Sequence, residues 1–258
     1  MNVQQLFDLT GKTAIITGGG RGLGAQIAEG FAEAGANLVL CSRRVESCEE
    51  TAARLQEETG AQCMTLACDV RNPDDVQRVV DQAIERFGRI DILVNNSGAS
   101  WGAPAVDMPL EAWNKVMDIN VTGTFLMAQA VGRRMIEQKS GKIINIASVA
   151  GLCGTDPKFM DAVGYSASKG AVISFTRDLA VKWGQHNVHV NAIAPGFFPT
   201  KMSQELLNRG GEHILRYTPL ARFGTEQDLK GSAVFLASDA SNFITGTVLT
   251  VDGGMSAM

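Results

Sequence analysis

A chain of 258 residues, 45% hydrophobic and 19% charged, is long enough to bury one large core and too apolar to be a disordered segment. Its formal net charge of −4 gives no basic footprint for nucleic acid, and no run of like charges marks an interaction tail. No apolar run approaches the ~20 residues that span a bilayer, and the opening MNVQQLFDLTGK lacks the charged-then-apolar order of a signal peptide, so a soluble cytoplasmic protein is expected.

The predicted elements alternate from the start. Residues 13–17 form a short apolar run that enters a glycine cluster, after which Leu23, Ile27 and Phe31 recur at near-fourfold spacing up to Gly35: strand, turn, helix. A second strand is expected at 38–40 and a charged helix at 45–58, with Glu46, Glu49, Glu50, Arg54 and Glu57 facing out. A third strand follows at 64–68, then a helix from Pro73, tolerated in a first turn, to about Phe87, then a fourth strand at 92–94. A long helical stretch at 110–138, bending near Asn120, leads to a fifth strand at 142–146, and a helix at 162–183 to a sixth at 188–193. A helix at 229–237 precedes the last strand at 247–251. Strands alternating with helices throughout predict one α/β domain over residues 1–258, a Rossmann-like, doubly wound parallel sheet of about seven strands with helices on both faces.

Three constellations carry chemistry. In the turn at 17–24, Gly18, Gly22 and Gly24 allow a tight bend and let backbone N–H groups approach a pyrophosphate at a helix N-terminus, where the dipole favours negative charge. About twenty residues on, where an acid would bind the ribose hydroxyls of NAD, the chain has Cys41-Ser42-Arg43-Arg44. Arg43, with Arg21 from the glycine turn, is expected to clamp the extra phosphate of NADP, which makes NADP(H) the preferred cofactor and leaves NAD(H) as the alternative. Tyr165 and Lys169, four apart on a helix, project from one face. The ammonium is expected to stabilise the phenolate and bring the phenol down from its ordinary ~10 toward neutrality, while the Ser148 hydroxyl, seventeen residues upstream, holds a carbonyl oxygen.

Taken in order, these residues give the chain a family resemblance along nearly its whole length, to the compact short-chain dehydrogenase/reductases, and within them to gluconate 5-dehydrogenase-like and 3-oxoacyl-[acyl-carrier protein] reductase-like members. TGGGRGLG at 17–24, with Arg21 and Leu23 beside its glycines, is similar to that family's cofactor turn, Asp69-Val70 to its adenine-side contact, and Asn95-Asn96-Ser97-Gly98 to its NNAG segment with Ser in place of Ala. Asn120, Ser148, Tyr165 and Lys169 match its catalytic tetrad, Pro195-Gly196 and Thr200 its nicotinamide-side loop, and Val251-Asp252-Gly253-Gly254 its C-terminal signature. The resemblance implies hydride exchange between a nicotinamide and a ketone/secondary-alcohol pair. Tyr165 would act as acid or base, Lys169 would tune it and bond the nicotinamide ribose, Ser148 would orient the substrate oxygen, and Asn120 would help hold a water. It also implies a homo-oligomer, most often a tetramer. A cofactor-binding sensor without catalysis is the reading from another class, and the complete tetrad argues against it.

The interval between Ser148 and Tyr165 departs from the family by being long. Extra residues beside a catalytic Ser are expected to reshape the substrate pocket. Phe159, Met160, Phe197, Phe198 and Met202 would supply an apolar wall; Lys158, Lys201 and Arg209 would instead meet a carboxylate. Five cysteines (Cys41, Cys48, Cys63, Cys68, Cys153) without a CxxC pair are expected to be reduced and mostly buried. His186, His189 and His213 lack the company of a metal site and are expected at solvated or edge positions.

Overall fold

The computed structural model describes residues 1–201 and 203–258; Met202 and the side chains of Glu205 and Arg209 lie outside the described residues. Seven parallel strands form one sheet in the order β3-β2-β1-β4-β5-β6-β7. They are β1 (Thr13–Thr17), β2 (Asn37–Ser42), β3 (Cys63–Ala67), β4 (Ile92–Asn95), β5 (Gly141–Ile146), β6 (Val188–Pro195) and β7 (Val248–Val251). The inner strands β1, β4 and β5 are buried at every position, as strands covered on both faces must be.

Alternation along β1 divides the core in two. Ile16 faces a cluster with Ile27 and Phe31 of α2 (Gly22–Glu33), Leu55 of α3 (Glu46–Thr59) and Leu229 and Leu236 of a later helix (Glu226–Ala237). Ile15 faces the opposite cluster, with Val79 and Val80 of a helix at Pro73–Phe87, Met127 and Val131 of one at Gly123–Gln138, and Leu179 of one at Val163–Trp183. Helices therefore cover both faces, as the alternating pattern predicts.

In chain order the helices are α1 (Val3–Leu6), α2, α3, α4 (Pro73–Phe87), α5 (Leu110–Met117), α6 (Gly123–Gln138), α7 (Val163–Trp183), α8 (Gln204–Arg216) and α9 (Glu226–Ala237). Local chemistry accounts for their ends. Asn72 caps α4, accepting from the Asp74 N–H at 3.0 Å, with Pro73 in the first turn. The bend expected near Asn120 is a single π-helical turn, Asp118–Thr122, that joins α5 to α6. Two elements were not predicted. The four-residue α1 is too short to show a period, and Gly210-Gly211 interrupts the apolar pattern of α8. No described helix is long and apolar enough to cross a membrane.

Close packing sets a clear stability test. A Cβ at Gly132 on α6 would lie 2.5 Å from the Trp183 ring at the end of α7. Gly132→Ala is expected to destabilise the fold by about 1–3 kcal/mol through overpacking. Urea unfolding followed by tryptophan fluorescence should show a lowered midpoint, and an unchanged one would contradict the packing.

Candidate active site

The order of the sheet reverses between β1 and β4, and in open parallel sheets ligands sit at the carboxyl ends of strands beside such a switch. Both halves of the predicted site lie there. The glycine turn leaves β1 with Gly18 at φ +65° and Gly22 at φ +54°, conformations that side chains disfavour. A Cβ at Gly24 would lie 2.3 Å from the Gly18 carbonyl oxygen, so α2 can approach the turn only because that position is bare. Arg21 precedes α2 without capping it by a side chain, which leaves the helix N–H groups free for an anion. The segment after β4 is laced to this turn. Thr17 Oγ1 accepts from the N–H groups of Asn96 (3.0 Å) and Ser97 (2.9 Å), and Asn96 Nδ2 donates to the Thr17 and Gly18 carbonyls. Thr200 stands over the turn, its methyl 3.5 Å from where a Gly22 Cβ would be. This cradle fits a dinucleotide pyrophosphate.

Beyond β2, Ser42 Oγ donates to the Arg44 carbonyl, and Arg43 is exposed at the strand's end. Asp69 is ion-paired with Arg71 at 2.6 Å, a bond that holds its carboxyl below the usual range, with Arg43 contributing to the same shift. Val70 is buried against Gly123, where a Cβ would be 2.5 Å from its methyl. Asn95 differs from the other predicted contacts, because its side chain is drawn into the sheet: Nδ2 donates to Asn145 Oδ1 at 2.9 Å, and Asn145 Nδ2 to Thr176 Oγ1. Pro195 ends β6, and Gly196 donates to the Val251 carbonyl, close enough to Asp252 that a Cβ would lie 2.8 Å from its Cα.

Asn120 and Lys169 meet at Gly98, where a Cβ would lie 3.5 Å from Asn120 Oδ1 and 3.8 Å from Lys169 Nζ. Asn120 sits in the π turn with its side chain fully committed, accepting from the Ala99 N–H (2.8 Å) and donating to the Ala99 carbonyl and Ser168 Oγ (both 2.9 Å). Ser148 follows β5 and accepts from the Ala150 N–H at 3.2 Å, which leaves its own proton free to donate. Tyr165 and Lys169 lie one turn apart on α7, the ammonium 5.6 Å from the ring centroid. Lys169 is buried and donates to the Ile146 carbonyl at 2.7 Å.

The phenol pKa runs opposite to expectation. Burial pushes Tyr165 above 10, with the Ser148 hydroxyl pulling it back in part, and burial brings Lys169 down from 10.5 to about 8. The ammonium is aimed at a carbonyl instead of at the phenol oxygen, and desolvation disfavours charge on both groups. A cavity of about 430 Å³ bounded by Phe197, Phe198, Leu220, Arg222 and Asp252 contains none of the tetrad. His213 is not solvated as expected. It is half-buried on α8, 3.3 Å from Asp156 and between Phe159 and Tyr217. Cys41, Cys48 and Cys68 are buried and all five thiols are free; Cys153 is exposed.

This α/β fold with a glycine cradle and a Ser–Tyr–Lys cluster defines a nicotinamide-dependent oxidoreductase. The chain belongs to the short-chain dehydrogenase/reductase family, matching over residues 18–256 the family described as Enoyl-(Acyl carrier protein) reductase. It is 39% identical over 255 residues to the 5-keto-D-gluconate 5-reductase of Escherichia coli (strain K12), covering 98% of each chain. It is 38% identical over 248 residues to the 3-oxoacyl-[acyl-carrier-protein] reductase of Synechocystis sp., covering 96% of this chain and 98% of that one. The crystal structure of a gluconate 5-dehydrogenase from Burkholderia cenocepacia J2315 in complex with NADP and tartrate superposes with a TM-score of 0.94 at 37% identity, covering 100% of both chains. The protein is an NAD(P)-dependent oxidoreductase that acts on a ketone/alcohol pair.

The Lys169 shift has a measurable consequence. Its folded pKa of about 8 lies below 10.5, so the charged form is held at a cost below pH 8 that fades as pH rises toward 10.5. Lys169→Met is therefore expected to gain stability relative to the parent chain at pH 7 and to lose that advantage by about pH 10. A pH-independent stability difference in chemical denaturation would contradict the buried charge.

Proposed function

We propose that the protein reduces a ketone to a secondary alcohol with NADPH, with Tyr165 as the proton donor. The observation that carries this reading is geometric: the Tyr165 phenol lies beside the Ser148 hydroxyl and one helical turn from Lys169, whose ammonium is 5.6 Å from its ring. The bound nicotinamide supplies the hydride for the carbonyl carbon. Ser148, its oxygen engaged by the Ala150 N–H, donates a hydrogen bond to the carbonyl oxygen, keeping its own proton, and fixes its position. Tyr165 then transfers its phenolic proton to that oxygen as negative charge develops there. Lys169, anchored on Ile146, stabilises the phenolate left behind, and Asn120 locks the π turn and the Ala99 backbone so that these groups keep their places.

A phenol raised by burial stays in its protonated form through neutral pH, the form reduction needs and oxidation must first empty. Reduction is expected to stay level between pH 6 and 8, whereas alcohol oxidation should rise with pH across that range. Tyr165→Phe is expected to lose at least about 100-fold in kcat for reduction, within the contribution of general acid catalysis, while keeping its affinity for NADPH. Equal turnover by the variant would exclude Tyr165 as the donor.

NADPH is preferred over NADH on this reading because Arg43 and Arg21 are exposed and Asp69, whose charge Arg43 also feels, is bound to Arg71. The NADP complex of the gluconate 5-dehydrogenase supports it. Arg43→Ala should raise the dissociation constant for NADPH by roughly 10-fold, as expected for losing a charge-assisted phosphate contact, and leave that for NADH within about twofold; unchanged selectivity in fluorescence titration would set the arginines aside. The names of the relatives frame the substrate as a keto-sugar acid or a β-keto acyl compound. We further infer a cytoplasmic homotetramer. Free cysteines suit a reducing compartment, and Phe125, Val181 and Phe243 are large apolar side chains exposed on α6, α7 and the approach to β7. A monomeric mass by light scattering would contradict the assembly.

A further inference from the structure

Ser148 leaves β5 through a single 3-10 turn, Val149–Gly151, which it caps: its Oγ accepts from the Ala150 N–H at 3.2 Å and its carbonyl from the Gly151 N–H at 2.9 Å. The same hydroxyl reaches the Tyr165 phenol. Gly151, at the other end of the turn, lies on the backbone of α7 at the residue that carries the ammonium. A Cβ there would be 2.6 Å from the Lys169 carbonyl carbon, 2.8 Å from the Gly170 nitrogen and 2.9 Å from the Lys169 oxygen. Gly151 is not among the glycines at positive φ, so its bare position serves space and not conformation. All three neighbours are main-chain atoms, which cannot swing aside as the tip of a side chain would. The long interval before Tyr165 leaves the core only beyond this contact: at Gly154 nothing stands within 4 Å of where a Cβ would be.

How each partner is held decides which would yield to a side chain at this position. α7 is bolted here from two directions, since Lys169 Nζ donates to the Ile146 carbonyl at 2.7 Å and Asn120 Nδ2 to Ser168 Oγ at 2.9 Å. Val172 and Ile173, one turn on, are buried in a cluster with Ala192 and Ala194 of β6. The chain just before Ser148 is fixed as well, the Ala147 N–H donating to the Ile193 carbonyl at 2.8 Å. Between these anchors the displacement falls on residues 148–151. Carbon atoms in contact prefer about 3.5–4.0 Å, so a Cβ 2.6 Å from the Lys169 carbonyl carbon would push the turn back by roughly 1 Å, and Ser148, hydrogen-bonded to both ends of that turn, would move with it.

We propose that Gly151 is a positioning residue for the reaction: lodged against the Lys169–Gly170 backbone, it seats the Ser148 hydroxyl beside Tyr165 and insulates that placement from the long loop that follows. Gly151 acts through Ser148 and not on the substrate. The inference rests on the reading above in one respect, that Ser148 meets the substrate oxygen.

The test is Gly151→Ala in the full chain, with Gly154→Ala as the matched substitution in open space. With NADPH and butane-2,3-dione, Gly151→Ala should lose about 100-fold in kcat, the scale of a misplacement of about 1 Å. Its dissociation constant for NADPH should stay within about twofold, as should both constants in Gly154→Ala. In a Ser148→Ala background the substitution at Gly151 should cost no more than about twofold in kcat, because the hydroxyl it displaces is already gone. A readout independent of turnover is the carbon-13 titration of the Tyr165 phenol, which the Ser148 hydroxyl lowers. Gly151→Ala should move that titration upward as Ser148→Ala does, and the double variant no further. Parent-like kcat in Gly151→Ala, an equal loss in the Ser148→Ala background, or loss of NADPH binding together with turnover would overturn the positioning role. A parent chain that reduces no ketone defeats the reading above, and the titration still decides this one: a Tyr165 phenol unmoved by Gly151→Ala overturns it.

Discussion

The site depends on one hydrogen bond, from the Lys169 ammonium to the Ile146 carbonyl at 2.7 Å. It fastens α7 to the end of β5 and so fixes the distance between Tyr165, on the helix, and Ser148, two residues beyond the strand. The same bond keeps a buried ammonium from being left without a partner, a state that would strongly favour its neutral form. Burial nevertheless lowers Lys169 to about 8 and raises the phenol, so the free protein holds its proton on Tyr165. On the proposed mechanism, that proton is the one delivered to the substrate oxygen.

The rest of the fold serves that junction. Parallel strands bring the ends of β1, β4, β5 and β6 to one edge, and each delivers a different part: the glycine cradle, the Asn96–Ser97 braces, Ser148 and the Gly196 loop. Asn120 ties the helix joining α5 to α6 to the segment after β4, using every polar atom of its side chain. The segment after Ser148 is built differently, packed on α8 by aromatic contacts and by the approach of Asp156 to His213.

Seven strands and most helices are legible in the sequence because their apolar periods are strong and their ends are marked by glycine, proline or Asn caps. The glycine turn and the tetrad are legible because each has a fixed spacing. What escapes is set by tertiary contact. Asn95 reads as part of a cofactor segment, yet its amide bonds Asn145 across the sheet, a partner fifty residues away. The direction of the Tyr165 shift depends on burial and on where the Lys169 ammonium points, neither of which spacing reveals. His213 joins Asp156 only because α8 folds over the loop, and the paired glycines of α8 obscure that helix.

The most direct test is the titration of Tyr165 itself. The chain has two tyrosines, so carbon-13 labelling of the phenol carbon gives two resonances, and Tyr165→Phe identifies which is which. In the protein without cofactor the Tyr165 resonance should titrate above 10, with Ser148→Ala moving it higher still as the lowering hydrogen bond is lost. A Tyr165 resonance that titrates near neutrality would contradict the account that burial, more than the neighbouring ammonium, sets the proton on this site.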